Sequence, residues 1–539
     1  MDKSQQTTVP SNKPRRRFPP IWVWCVLGVT AGVIVTVRTT DATADRATAN
    51  VVTLIAAFLG LMTLLSWFTY LSGFPRWLRW TPPLVLLTAV TVTAALCCID
   101  STSSELIPRF AWRWSPKPDE LLSVPNATGT FTELRTTGEH DFPEFLGPSR
   151  RLAVENVRLA RDWDRRPPKL VWRKEIGAGW SAFSVVNGFA VTQEQRGPLE
   201  MVTCYEVETG KLRWSLSIET RFQTILAGVG PRATPTIDEG MVYTLGATGR
   251  LFCLDGADGH VVWEKDLWAE FDVTPEQEES DVPYGRAGSP LVIGDRLIVP
   301  AGGTSSRNYV SLVAYDKHDG TELWRGGNRQ VAYASPVLAT LGGVEQVLLV
   351  SENYAGGYDP ETGDVLWEHD WPGNSSSDAN VSQPVAVAAD RVFLSKGYRQ
   401  GATLIELLPK SDGTFNTKPV WGSSRVMRTK FTNVCIYQGH VYGLSDGILE
   451  CIELETGRRV WKDGRYGHGQ ILRVGDLLLV LAESGELLLI EASPKPGEHV
   501  LGRFQAIDGK TWNNIALSGS YLLVRNAGEA ACYRVEVEE

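Results

Sequence analysis

Asp359-Pro360-Glu361-Thr362-Gly363-Asp364-Val365-Leu366-Trp367 joins an acidic residue to a Gly-containing turn and, after three further residues, a tryptophan, and versions of this phrase punctuate most of the chain. The copies end at Trp172, Trp214, Trp263, Trp324, Trp367, Trp421, Trp461 and Phe504, with successive spacings of 40 to 61 residues. The first is truncated, and the last, Ile490-Glu491 with Pro496-Gly497, is the weakest. A period of this length with several short strands per unit marks a propeller blade or a related array.

The copy from Ala233 to Trp263 shows the unit most plainly. Thr234 to Ile237 is one strand, Asp238-Glu239-Gly240 a turn, Met241 to Leu245 a second strand, and Arg250 to Leu254 a third. After Ala257-Asp258-Gly259 the fourth runs through Val261-Val262-Trp263. Glycine belongs in the last turn because the backbone there takes positive φ, and the aromatic supplies a flat face to pack between neighbouring sheets. Trp172, Trp214, Trp263, Trp324, Trp367, Trp421, Trp461 and Phe504 are therefore the expected blade-docking residues. Four of the eight cysteines, Cys204, Cys253, Cys451 and Cys532, fall at one repeat position, where Ala314 and Gly357 stand in other copies. That is a packing site for small residues, with no disulfide or metal chemistry attached to it.

The two ends of the repeat region complement each other. After Phe504 the chain offers Asn514 to Leu517, Tyr521 to Val524 and Ala531 to Val535, three strands without a fourth, while the strand at Trp172 has no preceding three. Joining them makes an eighth blade and leaves no open sheet edge. The expected fold is all-β, an eight-bladed β-propeller over residues 141–539, closed by its N- and C-terminal strands.

Residues 1–99 are of another kind: nine Lys and Arg stand against three Asp and Glu, while the rest of the chain carries 44 against 59. Three apolar stretches, Ile21 to Val37, Val51 to Leu71 and roughly Trp80 to Ile99, contain no charge and suit a hydrocarbon core of about 30 Å. The reading is a basic cytoplasmic tail (1–20), three transmembrane helices (21–99) and a Ser/Thr/Pro-rich linker (100–140). Arg15, Arg16 and Arg17 precede the first helix and Arg76 and Arg79 lie between the second and third, whereas Arg38 and Arg46 are balanced by Asp41 and Asp45. By the positive-inside bias the propeller lies across the bacterial inner membrane, in the periplasm. Its acidic balance argues against a nucleic-acid partner.

The pattern Asp-x-x-Thr-Gly-x-x-x-Trp, intact at Asp359 to Trp367 and with Glu for Asp at Glu206 to Trp214 and Glu453 to Trp461, resembles the pyrroloquinoline-quinone-type (PQQ-like) propeller repeat. The resemblance covers roughly residues 141–539, and the lead-in Phe142-Pro143-Glu144-Phe145-Leu146-Gly147-Pro148 is similar to that of bacterial quinoprotein-like propellers. Members include quinoprotein alcohol dehydrogenases and the outer-membrane barrel-assembly lipoprotein. One scaffold hosts unrelated sites, so the repeat specifies fold more than activity.

Residues just before the innermost strands are expected to converge on the channel mouth: Trp180, Arg232, Arg286, Tyr333, Asn380, Lys430, His468 and Trp512. Together they would make a positive, aromatic-walled pocket for an anionic planar molecule or an acidic peptide. The alternative is that the charged ones solvate the mouth or pair with nearby Asp and Glu. The insertion holding Glu270, Asp272, Glu276, Glu278, Glu279 and Asp281 reads as a solvated acidic flap, since it lacks the spacing of a calcium loop. No catalytic residue and no metal site is assigned.

The first functional expectation is a membrane-anchored periplasmic binding or scaffolding module for envelope proteins or a small ligand. The second, implied by the resemblance, is an alcohol or sugar dehydrogenase using pyrroloquinoline quinone with calcium. Against it, the vicinal pair Cys97-Cys98 lies in an apolar stretch rather than in the propeller. The third is an extracytoplasmic ligand sensor, which would need a separate protein for its output.

Overall fold

The computed structural model describes residues 17–40, 46–103, 105–125, 131–303, 309–375, 378–497 and 499–538. Arg15, Arg16, Asp41 and Asp45, used above to orient the helices, lie outside the described residues. The chain divides into two compact units, Met1–Ser115 and Pro116–Glu539.

The first unit holds helices α1 (Ile21–Thr39), α2 (Arg46–Leu71) and α3 (Arg76–Leu96), of 19, 26 and 21 residues, each long and apolar enough to cross a membrane. At a rise of about 1.5 Å per residue such lengths match a hydrocarbon core. Gly60 of α2 faces α1, where an added Cβ would lie 3.3 Å from Thr30 Oγ1, so the two helices approach closely. Pro82 and Pro83 sit inside α3 without ending it. The third span was expected to reach Ile99. It stops at Leu96, and Cys97–Thr102 turns into a strand that pairs antiparallel with Pro108–Trp112.

The second unit is an eight-bladed propeller, counted over the described residues, each blade a four-stranded antiparallel sheet. Blade 1 comprises Ser184–Val186, Phe189–Arg196, Leu199–Glu206 and Leu212–Glu219. The inner strands of blades 2 to 7 begin at Thr236, Leu291, Val337, Val385, Cys435 and Gln470. Blade 8 takes Ala516–Ser518, Tyr521–Arg525 and Glu529–Arg534 from the C-terminal end, and its outer strand, Lys169–Glu175, from before blade 1. Cys532 pairs directly with Trp172, so the expected closure by the two ends is observed.

One register recurs around the ring. Cys204 faces Trp214, Cys253 faces Trp263, Ala314 faces Trp324, Gly357 faces Trp367 and Cys451 faces Trp461, and a β-bulge follows in each pair. The cysteines are small because an indole lies across from them; burial pushes the Cys253, Cys451 and Cys532 thiols up to about 12.

Six of the seven indoles also reach into the next blade. Trp172 Nε1 donates to the Val207 carbonyl at 2.7 Å, Trp214 to Gly256 at 2.9 Å and Trp263 to Lys317 at 3.0 Å. Trp324, Trp421 and Trp461 donate likewise to Pro360, Leu454 and Ser493. The turn glycine beneath has a second reason to be glycine: besides φ +67° at Gly210, an added Cβ there would sit 2.8 Å from the Trp172 ring. Trp367 departs from the pattern, donating within its own blade to Gln346 Oε1 at 2.7 Å.

Phe504 does not occupy the eighth docking position. The residue opposite Leu489 is Gly502, and Phe504 pairs two places along with Leu487. The space a side chain on Gly502 would need is filled by Trp163, buried and edge-to-face with Phe504 at 5.8 Å.

The segment expected as a linker is not a loose tether where it is described. Asp119 pairs with Arg221 at 2.7 Å, and Thr132 and Leu134 are buried between blades 1 and 2, with Trp214 Nε1 donating to Thr132 Oγ1 at 3.0 Å.

The lead-in crosses the axis of the ring. Phe142 bridges Val185 of blade 1, and Ile237 N of blade 2 donates to the Pro143 carbonyl. Arg150 is buried; its guanidinium donates to the carbonyls of Ser289 (3.1 Å), Pro290 and Pro336 (2.8 Å) and to Thr236 Oγ1, and pairs with Glu144 at 2.6 Å. Ala153–Val154 then adds as a parallel fifth strand inside blade 7. A single arginine thereby ties three blades to the segment that passes through them.

Candidate functional site

Two cavities lie on the propeller axis, separated by the lead-in. Phe145 lines the upper one and Leu146 the lower one, so adjacent residues face opposite ends. The lower cavity, about 800 Å³, is walled by Pro148 to Asn156 and by the inner strands of blades 4 and 5. The upper one, about 140 Å³, is lined by Trp180, Arg232, Tyr333 and Trp512 among others.

The segments that lead into the inner strands place these side chains by a simple count. In Thr234-Pro235, Ser289-Pro290, Ser335-Pro336 and Gln383-Pro384 the proline opens or leads into the inner strand, and the residue two before each pair points at the axis. That count gives Arg232, Ala287, Tyr333 and Val381, all of which line the upper cavity, as does Phe431 in blade 6.

Of the eight residues expected at the mouth, Trp180, Arg232, Tyr333 and Trp512 line the upper cavity, and others stand beside or behind the lining. Arg286 stands one residue before the lining Ala287; it is buried in a bidentate pair with Glu278, at 2.5 and 2.9 Å, and also donates to the Ala301 carbonyl. Asn380 stands one before Val381, and its Nδ2 donates to the Ser351 and Glu352 carbonyls, each at 2.9 Å. Lys430 stands one before Phe431, its ammonium 5.1 Å from the Tyr398 ring centre and 5.7 Å from that of Phe431. His468 packs against Phe431 at 5.5 Å, one layer behind the lining. The acidic insertion is only partly solvated: Glu278 is buried on Arg286, and Glu270 accepts from the Tyr315 hydroxyl at 2.9 Å.

Aromatic rings dominate the walls. Trp180 and Trp512 lie 4.8 Å apart, Phe431 is 5.1 Å from Trp512, and Tyr284 meets Tyr333 edge-on at 5.3 Å. The Lys510 ammonium stands over both indoles, at 5.0 and 4.2 Å. Above them, Gln223–Thr224 pairs with Gly228–Val229 in a small hairpin whose Leu226 and Ala227 line the cavity. The Ala227 carbonyl accepts from Trp180 Nε1 at 2.8 Å and from Arg232 Nη2 at 2.5 Å, which fixes the hairpin to the wall.

Arg232 is the one arginine lining this cavity, and no carboxylate forms an ion pair with it among the described residues. Burial pulls its pKa down to about 10, partly offset by Tyr333, Tyr284 and Glu200. It stays cationic at neutral pH. Glu200 is fully buried, accepts from Ala247 N at 3.3 Å and is pushed by burial up to about 7.

The lining contains no Asp, Glu, His or Cys. Among the described residues no three such side chains converge on a cation position. Its polar atoms are those of Arg232, Asn433, Gln470 and Asn514 with two tyrosines, a set suited to an anion and to hydrogen-bonding edges.

The chain matches the family described as outer membrane protein assembly factor BamB over residues 159–303 and 198–463, and it belongs to that family of PQQ-like propellers. It is also 22% identical over 191 residues to the quinoprotein alcohol dehydrogenase PedH of Pseudomonas putida. That match covers 34% of this chain and 29% of the relative, so the chain spans less than a third of that enzyme's length. Among solved structures, a europium-containing methanol dehydrogenase superposes over 74% of this chain and 98% of its own, with a TM-score of 0.55 and 11% identity. A quinohemoprotein alcohol dehydrogenase from Comamonas testosteroni gives 0.51 over 73% and 80%, at 12% identity. These likenesses establish the propeller and leave the activity to the residues of the site.

Proposed function

We propose that the protein is a membrane-anchored periplasmic propeller that binds rather than transforms, acting as a scaffold for an envelope protein or as a receptor for a small acidic ligand at the upper cavity. The observation that carries this reading is the lining itself: aromatic walls and one unpaired-by-carboxylate cation, Arg232, with no carboxylate, imidazole or thiol to act as base or nucleophile. A planar anion or an acidic side chain at the tip of a partner would stack on Trp180 and Trp512 and take its charge partner from Arg232.

The residues of the upper cavity do not fit calcium-held pyrroloquinoline quinone. Calcium takes six to eight oxygen ligands, commonly including carboxylates, and the cavity offers none of these carboxylates. At about 140 Å³ the space also falls below the roughly 300 Å³ at which ligand pockets usually begin. The test is titration of the full chain in detergent with aromatic carboxylates, with acidic peptides, and with the quinone plus calcium. Saturable binding of the first or second supports the proposal; quinone binding accompanied by dye-coupled alcohol oxidation overturns it in favour of the dehydrogenase.

A further inference from the structure

The hairpin that follows α3 carries an apolar face for which its surroundings specify an occupant. Cys97 pairs with Trp112 and Ile99 with Phe110, so these four side chains share one face of the two-stranded sheet. Ile99, Phe110 and Trp112 are 45%, 62% and 52% exposed, and Trp114, 66% exposed, stacks on Trp112 at 5.6 Å. Four large apolar side chains left open side by side on a two-stranded sheet are destabilising in water.

Both ends of this hairpin are fixed to helix termini. Its first strand starts at the residue after Leu96, and its last turns back: Arg113 N donates to the Leu96 carbonyl at 2.9 Å and Arg113 Nε to that of Ala94 at 3.0 Å. At the tip, Asn50 Nδ2 donates to the Glu105 carbonyl at 2.9 Å, and Arg46 pairs with the Glu105 carboxylate at 3.8 Å. Arg46 and Asn50 open α2, whereas Leu96 closes α3. The hairpin thus bridges the two helix ends that share one side of a bilayer.

We infer that the 97–114 hairpin lies in the lipid interface, with Ile99, Phe110, Trp112 and Trp114 among the outer acyl-chain segments and Arg109 and Arg113 beside lipid phosphates. The inference rests on the reading of the three helices as membrane spans. Ends of helices of these lengths sit at the hydrocarbon–headgroup boundary, the depth at which tryptophan is enriched and a cation finds anionic partners.

The test uses the full chain with Cys25, Cys97 and Cys98 changed to Ser, reconstituted into phosphatidylcholine–phosphatidylglycerol vesicles, with a nitroxide on Phe110→Cys. Accessibility to oxygen and to a water-soluble nickel complex is compared with that of labels at Leu59→Cys, in mid-α2, and at Lys495→Cys, exposed on the propeller. The expected result is an oxygen-to-nickel ratio at 110 several-fold above that at 495 and below that at 59. An aqueous ratio at 110, or occlusion from both reagents by protein, overturns the interfacial hairpin while a high ratio at 59 leaves the spans intact. An aqueous ratio at 59 removes the spans themselves.

Discussion

Trp163 stands where Gly502 has no side chain: a Cβ on that glycine would lie 2.5 Å from the tryptophan's own Cβ. Seven blades carry their docking indole on the outer strand, and the seventh in chain order borrows one from a segment more than 300 residues upstream. Trp163→Gly, which also removes the Cβ that a side chain at 502 would meet, should therefore cost at least about 3 to 5 kcal/mol, the usual range for emptying a buried aromatic site. Gly502→Trp in that background should recover part of the loss. Urea titration of the four proteins checks both, and additive effects would show that the two positions do not share one space.

Arg150 should behave as a keystone of the axial segment. Its replacement by Met leaves the Ser289, Pro290 and Pro336 carbonyls without their donor and Glu144 without its partner. A loss of about 3 to 5 kcal/mol is expected, as for breaking a buried charge pair. Arg150→Lys should recover little, because one ammonium cannot reproduce the fork that serves three blades. Thermal unfolding and protease cleavage within residues 141–155 report the outcome.

Glu200 sets a pH dependence whose sign is fixed by burial. A carboxyl held at about 7 in the folded chain, against an ordinary value of 4.5, stays protonated while its unfolded counterpart ionises. Stability from this group is thus full below pH 4.5 and declines as pH rises to about 7, by up to about 3 kcal/mol. Glu200→Gln should raise the melting temperature at pH 8 and leave it nearly unchanged at pH 4. Equal shifts at both pH values would contradict the assignment.

Arg232 should govern capture of an anion. Arg232→Met is expected to weaken binding of an aromatic carboxylate by about 10- to 100-fold, with a neutral amide analogue much less affected. Because Glu200 contributes to the field at Arg232, affinity for the anion should also fall as pH rises through about 7, and Glu200→Gln should flatten that step. Isothermal titration across pH 5 to 9 distinguishes the two effects. Loss of anion and amide binding alike would mean that Arg232 merely holds the 223–229 hairpin through Ala227.

Much of the ring was legible because tryptophan and glycine act locally: an indole needs a small residue opposite it and a side-chain-free turn beneath, and both recur at fixed offsets. Gly502 broke that rule silently, since nothing near it in the chain announces a replacement from residue 163. The mouth was misread by one residue at Arg286, Asn380 and Lys430 for a related reason. Along extended backbone, one step reverses the side chain's direction, and charge drew attention away from Ala287, Val381 and Phe431. Counting from the Ser/Thr/Gln-Pro pairs would have placed blades 2 to 5. Phe145 had no such marker, because its position depends on a segment crossing the whole assembly.

The lead-in turns the wheel into a vessel rather than a conduit. With Phe145 as a floor, a ligand of the proposed kind, stacked against Trp180 and Trp512, would have the 223–229 side as its way in and out, so that arrival and departure would share one doorway. Its residence time would then be expected to follow the two hydrogen bonds to the Ala227 carbonyl that fix the seven-residue 223–229 hairpin to the wall.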